Sequence, residues 1–543
     1  MMLSVSFALL GVVLFFFYLW WDARSDLPPG PRPLPIVGNI RDLPTGETPE
    51  YQHWLEFKNL YGPISHVSIL GQPLIIIHDR HAAHQLLEKT STRTSGRPRM
   101  HFGADLCGYG TLLSFQQYNK TFRQHRKLVH QQLGTKAAAA RFRDIQDVES
   151  RRFLFRILET PEDLMKHVKT EASAVILQII YGYSVEPRKA DPLTLLIERM
   201  MLGISLAFVP LTWPVDTLPI LKYFPEFLPG MSFKKRAREW KDITQMVIDV
   251  PYEFVRQKMS MRTHRPSYVS SLVEQHDRGD GNDKLDGDKE NAIKSTAAIM
   301  YAGGADTTVS SVCGFVLAML FFPAVQKKAQ EELDTVVGSD RLPHLGDRDS
   351  LPYVNALVKE TLRWLPVTPM GVPHTADEDI SYGEFHIPKG AQLLPAIWWF
   401  LHDPQTYSEP SSFDPDRYLE PRNEPDPATE AFGYGRRVCP GRFLADESLF
   451  ITISRVLAAF DIRKALDGQG IEIEPKIRIT PGIIGHIHDF PYSIKPRNRK
   501  YVDLIRSVEA EHPWEESDAN LLQEDFALAW LKDETGSSGR IKV

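Results

Sequence analysis

Residues 432 to 441 read FGYGRRVCPG, which crowds three glycines, a proline and two adjacent arginines around Cys439, one of 3 cysteines among 543 residues. Glycine and proline force a tight turn here, and the following GRFLADESLFITISRVLAAF has the apolar spacing of a helix. Cys439 therefore stands at a helix N-terminus, where unpaired N–H groups and the positive end of the helix dipole favour thiolate, the state of a nucleophile or a metal ligand. Inert burial is the usual fate of a lone cysteine. Against it, Gly433, Gly435 and Gly441 let backbone approach a guest closely, and Arg436 and Arg437 offer cations to carboxylates on that guest. A flat anionic cofactor fits this description.

The composition of the whole sequence, 43% hydrophobic and 24% charged, is that of a globular protein. A net charge of -6 gives no global attraction to nucleic acid or anionic lipid. Cys107, Cys313 and Cys439 are too few and too scattered for a disulfide framework, and fit a reducing compartment or a dedicated thiol chemistry. Near the start, LSVSFALLGVVLFFFYLWW (Leu3 to Trp21) carries no charge over 19 residues. As a helix it would rise about 28 Å, enough to cross a bilayer. No basic segment precedes it and no small-residue cleavage site comes after it, so it reads as a retained anchor and not a signal peptide. Trp20 and Trp21 suit the interface, and Arg24 and Arg32 favour a cytosolic body. The adjoining proline-rich LPPGPRPLPIVG reads as an extended, semi-rigid hinge.

Further on, YGPISHVSILGQPLIIIHD reads as strand, turn and strand, with Gly71, Gln72 and Pro73 as the break. Amphipathic helical stretches such as RHAAHQLLEKT and VQKKAQEELDTVV dominate from about Asp79 to Val337, and strand-like pieces return in EFHIPKGAQLL and IEIEPKIRIT. The polar run from Glu274 to Asn291 reads as a surface loop within one large domain. Tyr501 to Val543 is acidic but carries Trp514, Phe526 and Trp530, the mark of an ordered appendage. The expected organisation is an anchor over 1–24, a hinge over 25–40, a catalytic domain over 41–500 and an acidic extension over 501–543.

Three other stretches bear on chemistry. AAIMYAGGADTTVSSVCGFVLAMLFF (Ala297 to Phe322) is a long helical pattern ended by Pro323. Its Gly303 and Gly304 each cost about 1 kcal/mol relative to Ala, so packing or a ligand must require them. The Thr307 hydroxyl can divert a backbone carbonyl and leave a polar notch in an apolar wall. VKETLRWLP sets Glu360 and Arg363 three apart on a helix, by itself an ordinary surface pair. YNKTFRQHRKLVHQQLG aligns Lys120, Arg123, Arg126, Lys127 and His130, by default a solvated basic face.

Taken together, these stretches resemble the cytochrome P-450 monooxygenases. Phe432, Gly435, Arg437, Cys439 and Gly441 match the family's Phe-x-x-Gly-x-Arg-x-Cys-x-Gly haem loop. The resemblance implies a mainly helical fold with small β-sheets, haem b held by the Cys439 thiolate, and Arg437 on a haem propionate. GGADTT is similar to the family segment that lies beside the haem, which puts Gly303 and Gly304 there and makes Asp306 and Thr307 the acid–alcohol pair relaying protons for dioxygen cleavage. Glu360, Arg363 and, in FDPDRYL, Arg417 resemble the structural ionic triad, with Asp416 and Tyr418 in place of the commoner Glu and Phe. Phe122 and Arg126 stand where the family has Trp-x-x-x-Arg reaching a propionate, and Phe122 lacks the indole N–H. His374, in GVPHTADE, occupies a position of another propionate donor.

The resemblance further implies an enzyme of the endoplasmic reticulum membrane, single-pass and facing the cytosol, that binds no nucleic acid. It would take electrons from NADPH through a separate cytochrome P-450 reductase, and the chain carries no flavin or nicotinamide fingerprint before a helix. Anchor, hinge and haem loop are especially similar to fungal members of specialised metabolism. The expected substrate is a hydrophobic, aromatic secondary metabolite such as a polyketide or indole alkaloid, met by Gly96 to Phe115, Ser205 to Pro214, Leu365 to Pro373 and Gly482 to His488. Hydroxylation, ring closure, ring expansion and desaturation remain open outcomes. The alternatives are a non-haem enzyme with Cys439 as nucleophile, and a membrane-tethered haem- or lipid-binding protein without turnover.

Overall fold

A computed structural model of the chain describes residues 26–45, 48–209, 212–278 and 285–522. The expected anchor at Leu3–Trp21 and the aromatic pair Phe526 and Trp530 lie outside the described residues. Contacts divide the chain into two compact units, one comprising the chain up to Pro98 with Met370–Ala396 and Tyr434–Arg436, the other Arg99–Pro369, Ile397–Gly433 and Arg437–Val543.

The smaller unit holds helix α1 (Glu50–Tyr61) and six strands: β1 (Ile64–Ile69), β2 (Gln72–Ile77), β3 (His374–Thr375), β4 (Ile380–Tyr382), β5 (Phe385–Ile387) and β6 (Gln392–Pro395). Four of them form a sheet in the order β1-β2-β6-β3, with β2 parallel to β6 and the other pairs antiparallel. The β1–β2 turn is Leu70–Gly71, both at positive φ (49° and 83°), so the break is shorter than the expected Gly71-Gln72-Pro73. Pro73 instead lies inside β2 opposite Ser68, before the pairing with β6 begins at Leu74, where its missing N–H leaves no ladder bond unmade. The proline-rich segment runs along β1. His66 N donates to Pro29 O at 2.9 Å, and a Cβ on Gly30 would fall 2.1 Å from His66 O.

In the larger unit the longest helices are α2 (Lys120–Leu133), α3 (Arg143–Glu159), α4 (Leu164–Tyr181), α5 (Pro192–Ala207), α6 (Phe233–Ser260), α7 (Gly287–Phe321), α8 (Pro323–Val336), α9 (Pro352–Trp364) and α10 (Arg442–Ala459). A two-stranded ribbon joins β7 (Phe460–Arg463) to β8 (Ser493–Pro496). Helix α7 is 35 residues long, starts where the Asp286 carboxylate accepts from Lys289 N at 2.9 Å, and stops before Pro323. Among the described residues it is the one helix long and apolar enough to cross a membrane, but 72% of its most apolar window is buried inside the protein, as befits a core helix. Its first half packs into an apolar core with α4, α5 and α6, and its second half into another with α8, α9 and α10. Helices α2, α4 and α10 all pack on α7.

Two expectations change here. The loop read over Glu274 to Asn291 is shorter, because a helix reaches Asp277 and α7 has begun by Gly287. The alternating IEIEPKIRIT forms no strand, only isolated bridges such as Leu466↔Glu472 and Ile479↔Ile487, and Ile471, Ile473 and Ile477 are exposed. Alternation without a facing surface does not make a sheet. After β8 the chain packs back on the helices: the Trp514 ring lies under Arg152 (4.9 Å) and Arg156 (5.3 Å), and Asp518 pairs with Arg265 at 2.6 Å.

Candidate active site

The Cys439 turn and α2 come together through arginines. Asn119 caps α2 by accepting from Phe122 N at 2.9 Å, which fixes the first turn and buries Phe122 at 2% exposure. The Arg437 guanidinium lies over the Phe122 ring, 3.9 Å from its centroid, and donates to Leu113 O (3.2 Å) and Gln116 O (2.6 Å). The ring thus supports the arginine by cation–π contact, which needs no indole N–H. One turn further along α2, Arg126 points inward and donates to Val438 O, beside the cysteine. Lys120, Arg123, Lys127 and His130 of the same helix are exposed. Two cations therefore converge on the cysteine turn while the rest of the basic face meets solvent.

Cys439 N donates to Phe432 O at 2.8 Å, which closes the turn, and Arg442 Nη1 donates to Cys439 O at 3.2 Å. Burial pushes the thiol above its ordinary pKa, opposed by the N–H of Gly441, the charges of Arg126 and Arg442, and the N–H of Arg442. Desolvation is the larger effect and opposes the thiolate bias expected of a helix N-terminus. A coordinated metal would deprotonate the thiol outright. Among the described residues no group of three or more His, Cys, Asp and Glu could hold a metal ion. A single sulfur donor with the charges of Arg126 and Arg442 near it, and Arg437 two residues before it in the same turn, fits a metal that brings its other ligands and two carboxylates with it, as haem does.

On α7, the two adjacent glycines serve different needs. A Cβ on Gly304 would lie 2.7 Å from Ile176 Cγ1 on α4, so Gly304 is required by helix packing. A Cβ on Gly303 would meet no atom within 4 Å, and Gly303 is exposed although Tyr301, Ala302 and Ala305 beside it are buried. Gly303 is the open position in the wall, a place where a flat guest can lie against backbone. Thr307 Oγ1 donates to Gly303 O at 2.6 Å, the carbonyl one turn back, while the α-helix runs unbroken through both residues. Asp306, next to it, receives His486 Nε2 at 2.9 and 2.8 Å on its two oxygens. Nothing in the spacing of residues 180 apart announces that pair.

Glu360 on α9 is a buried hub: Arg363 grips it with two bonds of 2.8 Å, Arg417 Nε donates at 3.0 Å, and all three side chains have zero exposure. Tyr418 OH adds a bond of 2.9 Å, giving the departure from phenylalanine a use that sequence reading missed. The expected substrate segments also touch within the larger unit. Phe102 stacks on Trp213 (3.6 Å), Phe115 stacks on Phe208 (4.2 Å), a Cβ on Gly482 would lie 2.9 Å from Ser205 O, and Gly485 N donates to Val367 O at 2.8 Å. Gly441 shows no close neighbour. In the smaller unit, His374 is buried in β3 with Nδ1 2.8 Å from Thr94 O. Gly435 is at φ 52° with its missing Cβ 2.5 Å from Leu87 O, so a packing need accounts for it there.

Residues 28–483 match the family described as Cytochrome P450. The chain is 58% identical over 528 residues to the cytochrome P450 monooxygenase CLM2 of Gibberella zeae, covering 97% of this chain and 100% of that protein. It is 47% identical to the multifunctional cytochrome P450 monooxygenase af510 of Aspergillus fumigatus, covering 96% of this chain and 97% of the relative. To the O-methylsterigmatocystin oxidoreductase of Aspergillus flavus it is 37% identical, covering 92% and 93%.

Proposed function

The chain belongs to the cytochrome P450 family of haem-thiolate monooxygenases, and on that premise we propose that it is a membrane-anchored enzyme that oxidises a hydrophobic, ring-containing fungal secondary metabolite. The observation that carries the site assignment is the convergence of Arg126 and Arg437 on the Cys439 turn, with Phe122 stacked beneath Arg437. Cys439 would hold the haem iron, and Arg126 and Arg437 would address its propionates. Phe432 and Gly441 belong to the loop that carries Cys439, and Gly303 on α7 would lie against the cofactor. Haem supplies the oxygen-activating chemistry when bound. The chain's own work is to orient substrate, exclude water, and hold protons at the Asp306 carboxylate and the Thr307 hydroxyl.

Support for the substrate class comes from one relative, whose name states a substrate, O-methylsterigmatocystin. We place the substrate among polyketides or indole alkaloids. Membrane association rests on Leu3–Trp21 together with exposed Leu218, Ile220, Tyr223 and Phe227 beside Lys222, an apolar patch uncommon on a soluble surface. The exposed cations of α2 suit an acidic face of an NADPH-dependent reductase. The deciding experiment is the spectrum of the reduced protein with carbon monoxide. The thiolate-haem Soret shift is expected for the native chain and lost in Cys439→Ser; its absence from the native chain would overturn the reading. Co-expression with a reductase and mass-spectrometric profiling of candidate metabolites then identifies the substrate.

A further inference from the structure

Asp306 is held by a residue far away in the chain. His486 Nε2 lies 2.9 and 2.8 Å from the two Asp306 oxygens, so one N–H is shared between them. The loop that carries His486 is fixed on several sides. Gly485 N donates to Val367 O (2.8 Å), His486 N donates to Thr480 Oγ1 (3.0 Å), Thr480 N donates to His486 O (2.8 Å), and His488 N donates to Arg478 O (2.9 Å). Even the residue before the histidine is constrained, since a Cβ on Gly485 would fall 2.8 Å from Ile479 Cγ2. Such restraint aims the imidazole at one place. The His486 side chain is 29% exposed and that of Asp306 is 15% exposed, so the ring is the more accessible member of the pair.

We propose that His486 is a positioning residue for Asp306 and the outer station through which protons pass from water to it. The inference rests on the monooxygenase reading above. A productive turnover is RH + O₂ + NADPH + H⁺ → ROH + H₂O + NADP⁺, with two electrons arriving through the reductase and one oxygen atom leaving as water. The protons for that water move from solvent onto the His486 ring, from Nε2 to the Asp306 carboxylate, and on towards the leaving oxygen. Each relay atom gives up a proton as it takes another, and no electrons move along this path. When delivery fails, two-electron reduction ends at peroxide, O₂ + NADPH + H⁺ → H₂O₂ + NADP⁺. Without substrate, sustained delivery gives the four-electron outcome, O₂ + 2NADPH + 2H⁺ → 2H₂O + 2NADP⁺. The peroxide-to-water ratio therefore reads proton delivery with no substrate needed.

The test reconstitutes the full-length holoenzyme with its reductase and NADPH alone, and compares native protein with His486→Gln, His486→Phe, Asp306→Asn and the His486→Gln/Asp306→Asn pair. Glutamine keeps an N–H donor but cannot carry a proton through a ring. Expected are an unchanged thiolate-haem spectrum with carbon monoxide in His486→Gln, a severalfold higher peroxide-to-water ratio, and a larger solvent isotope effect on NADPH oxidation. The pair should be no worse than Asp306→Asn alone. A readout independent of turnover is the ¹⁵N signal of the His486 ring, expected to move on Asp306→Asn in the carbon monoxide complex. An intact spectrum with the native ratio and isotope effect in both His486 variants would overturn the relay, as would additive losses in the pair. Lack of a thiolate-haem spectrum in the native protein overturns the parent reading instead, and the relay with it.

Discussion

Replacing Glu360 with glutamine should remove the buried anion on which two arginines close, and its effect can be worked from the contacts. Five donors reach that carboxylate: Arg363 Nε and Nη2 and the Asp414 N–H at 2.8 Å, Tyr418 OH at 2.9 Å and Arg417 Nε at 3.0 Å. None of Glu360, Arg363 and Arg417 has side-chain exposure, so solvent cannot replace the lost charge. Arg417 keeps Glu424 at 2.7 Å, while Arg363 is left with the carbonyls of Leu401, Pro410 and Ser412. Breaking a buried ion pair from one side costs about 3–5 kcal/mol, and the amide also turns an N–H₂ towards groups that are themselves donors. Tyr418→Phe is the graded control. Burial and the Glu360 charge push the phenol up, so it stays a donor, and its loss removes one of five bonds, about 1.5 kcal/mol or roughly tenfold in a rate. The assay is the half-life of the thiolate-haem carbon monoxide band at fixed urea, a rate that does not require reversible unfolding. Glu360→Gln should yield little or no folded haem protein, and Tyr418→Phe a band that decays several- to tenfold faster. A Glu360→Gln protein as long-lived as the native one, or less damaged than Tyr418→Phe, would refute the hub.

Gly304→Ala drives a methyl to 2.7 Å from Ile176 Cγ1 and should destabilise by about 1–3 kcal/mol, read as a lowered urea midpoint. Gly303→Ala meets no protein atom within 4 Å, so it should leave the urea midpoint unchanged or higher while lowering the haem-to-protein ratio or substrate affinity. Burial raises the Glu171 carboxyl from 4.5 to about 8 although Thr452 Oγ1 donates to it at 2.7 Å. The folded state then binds more protons than the unfolded chain between those values, so stability should fall from pH 5 to 8 by up to ~1.4 kcal/mol per unit. Glu171→Gln should flatten that slope in urea titrations run at several pH values. Finally, Lys120→Glu/Lys127→Glu should raise the reductase concentration needed for half-maximal NADPH oxidation severalfold without moving the carbon monoxide spectrum, since both side chains are exposed. An unchanged requirement would remove α2 from the docking face.

Much of this molecule was legible where local chemistry decides the conformation. The Cys439 turn and the helix after it were readable because glycine, proline and apolar spacing act within a few residues. So was the Thr307 bond to Gly303 O, a contact one helical turn long. Legibility ends where a distant surface decides. IEIEPKIRIT has the alternation of a strand but meets no sheet. Glu274–Asp277 and Gly287–Asn291 are polar yet helical, because one completes a capped helix and the other is the solvent-facing start of a helix whose later turns are buried.

The two glycines of α7 show why a motif and a structure carry different information. In sequence Gly303 and Gly304 are interchangeable members of one pattern, and both ask for a reason of about 1 kcal/mol. Packing assigns Gly304 to Ile176 and leaves Gly303 facing open space, so one glycine serves the fold and the other serves whatever lies against the helix. The same division separates the thiol from its environment. A helix N-terminus argues for thiolate, whereas burial argues for thiol and is the larger effect on Cys439. Arg126 and Arg437, both placed by α2 and Phe122, are what make the site more than a buried cysteine. They would supply charge for a guest's carboxylates, and the guest's metal would supply the charge the sulfur lacks.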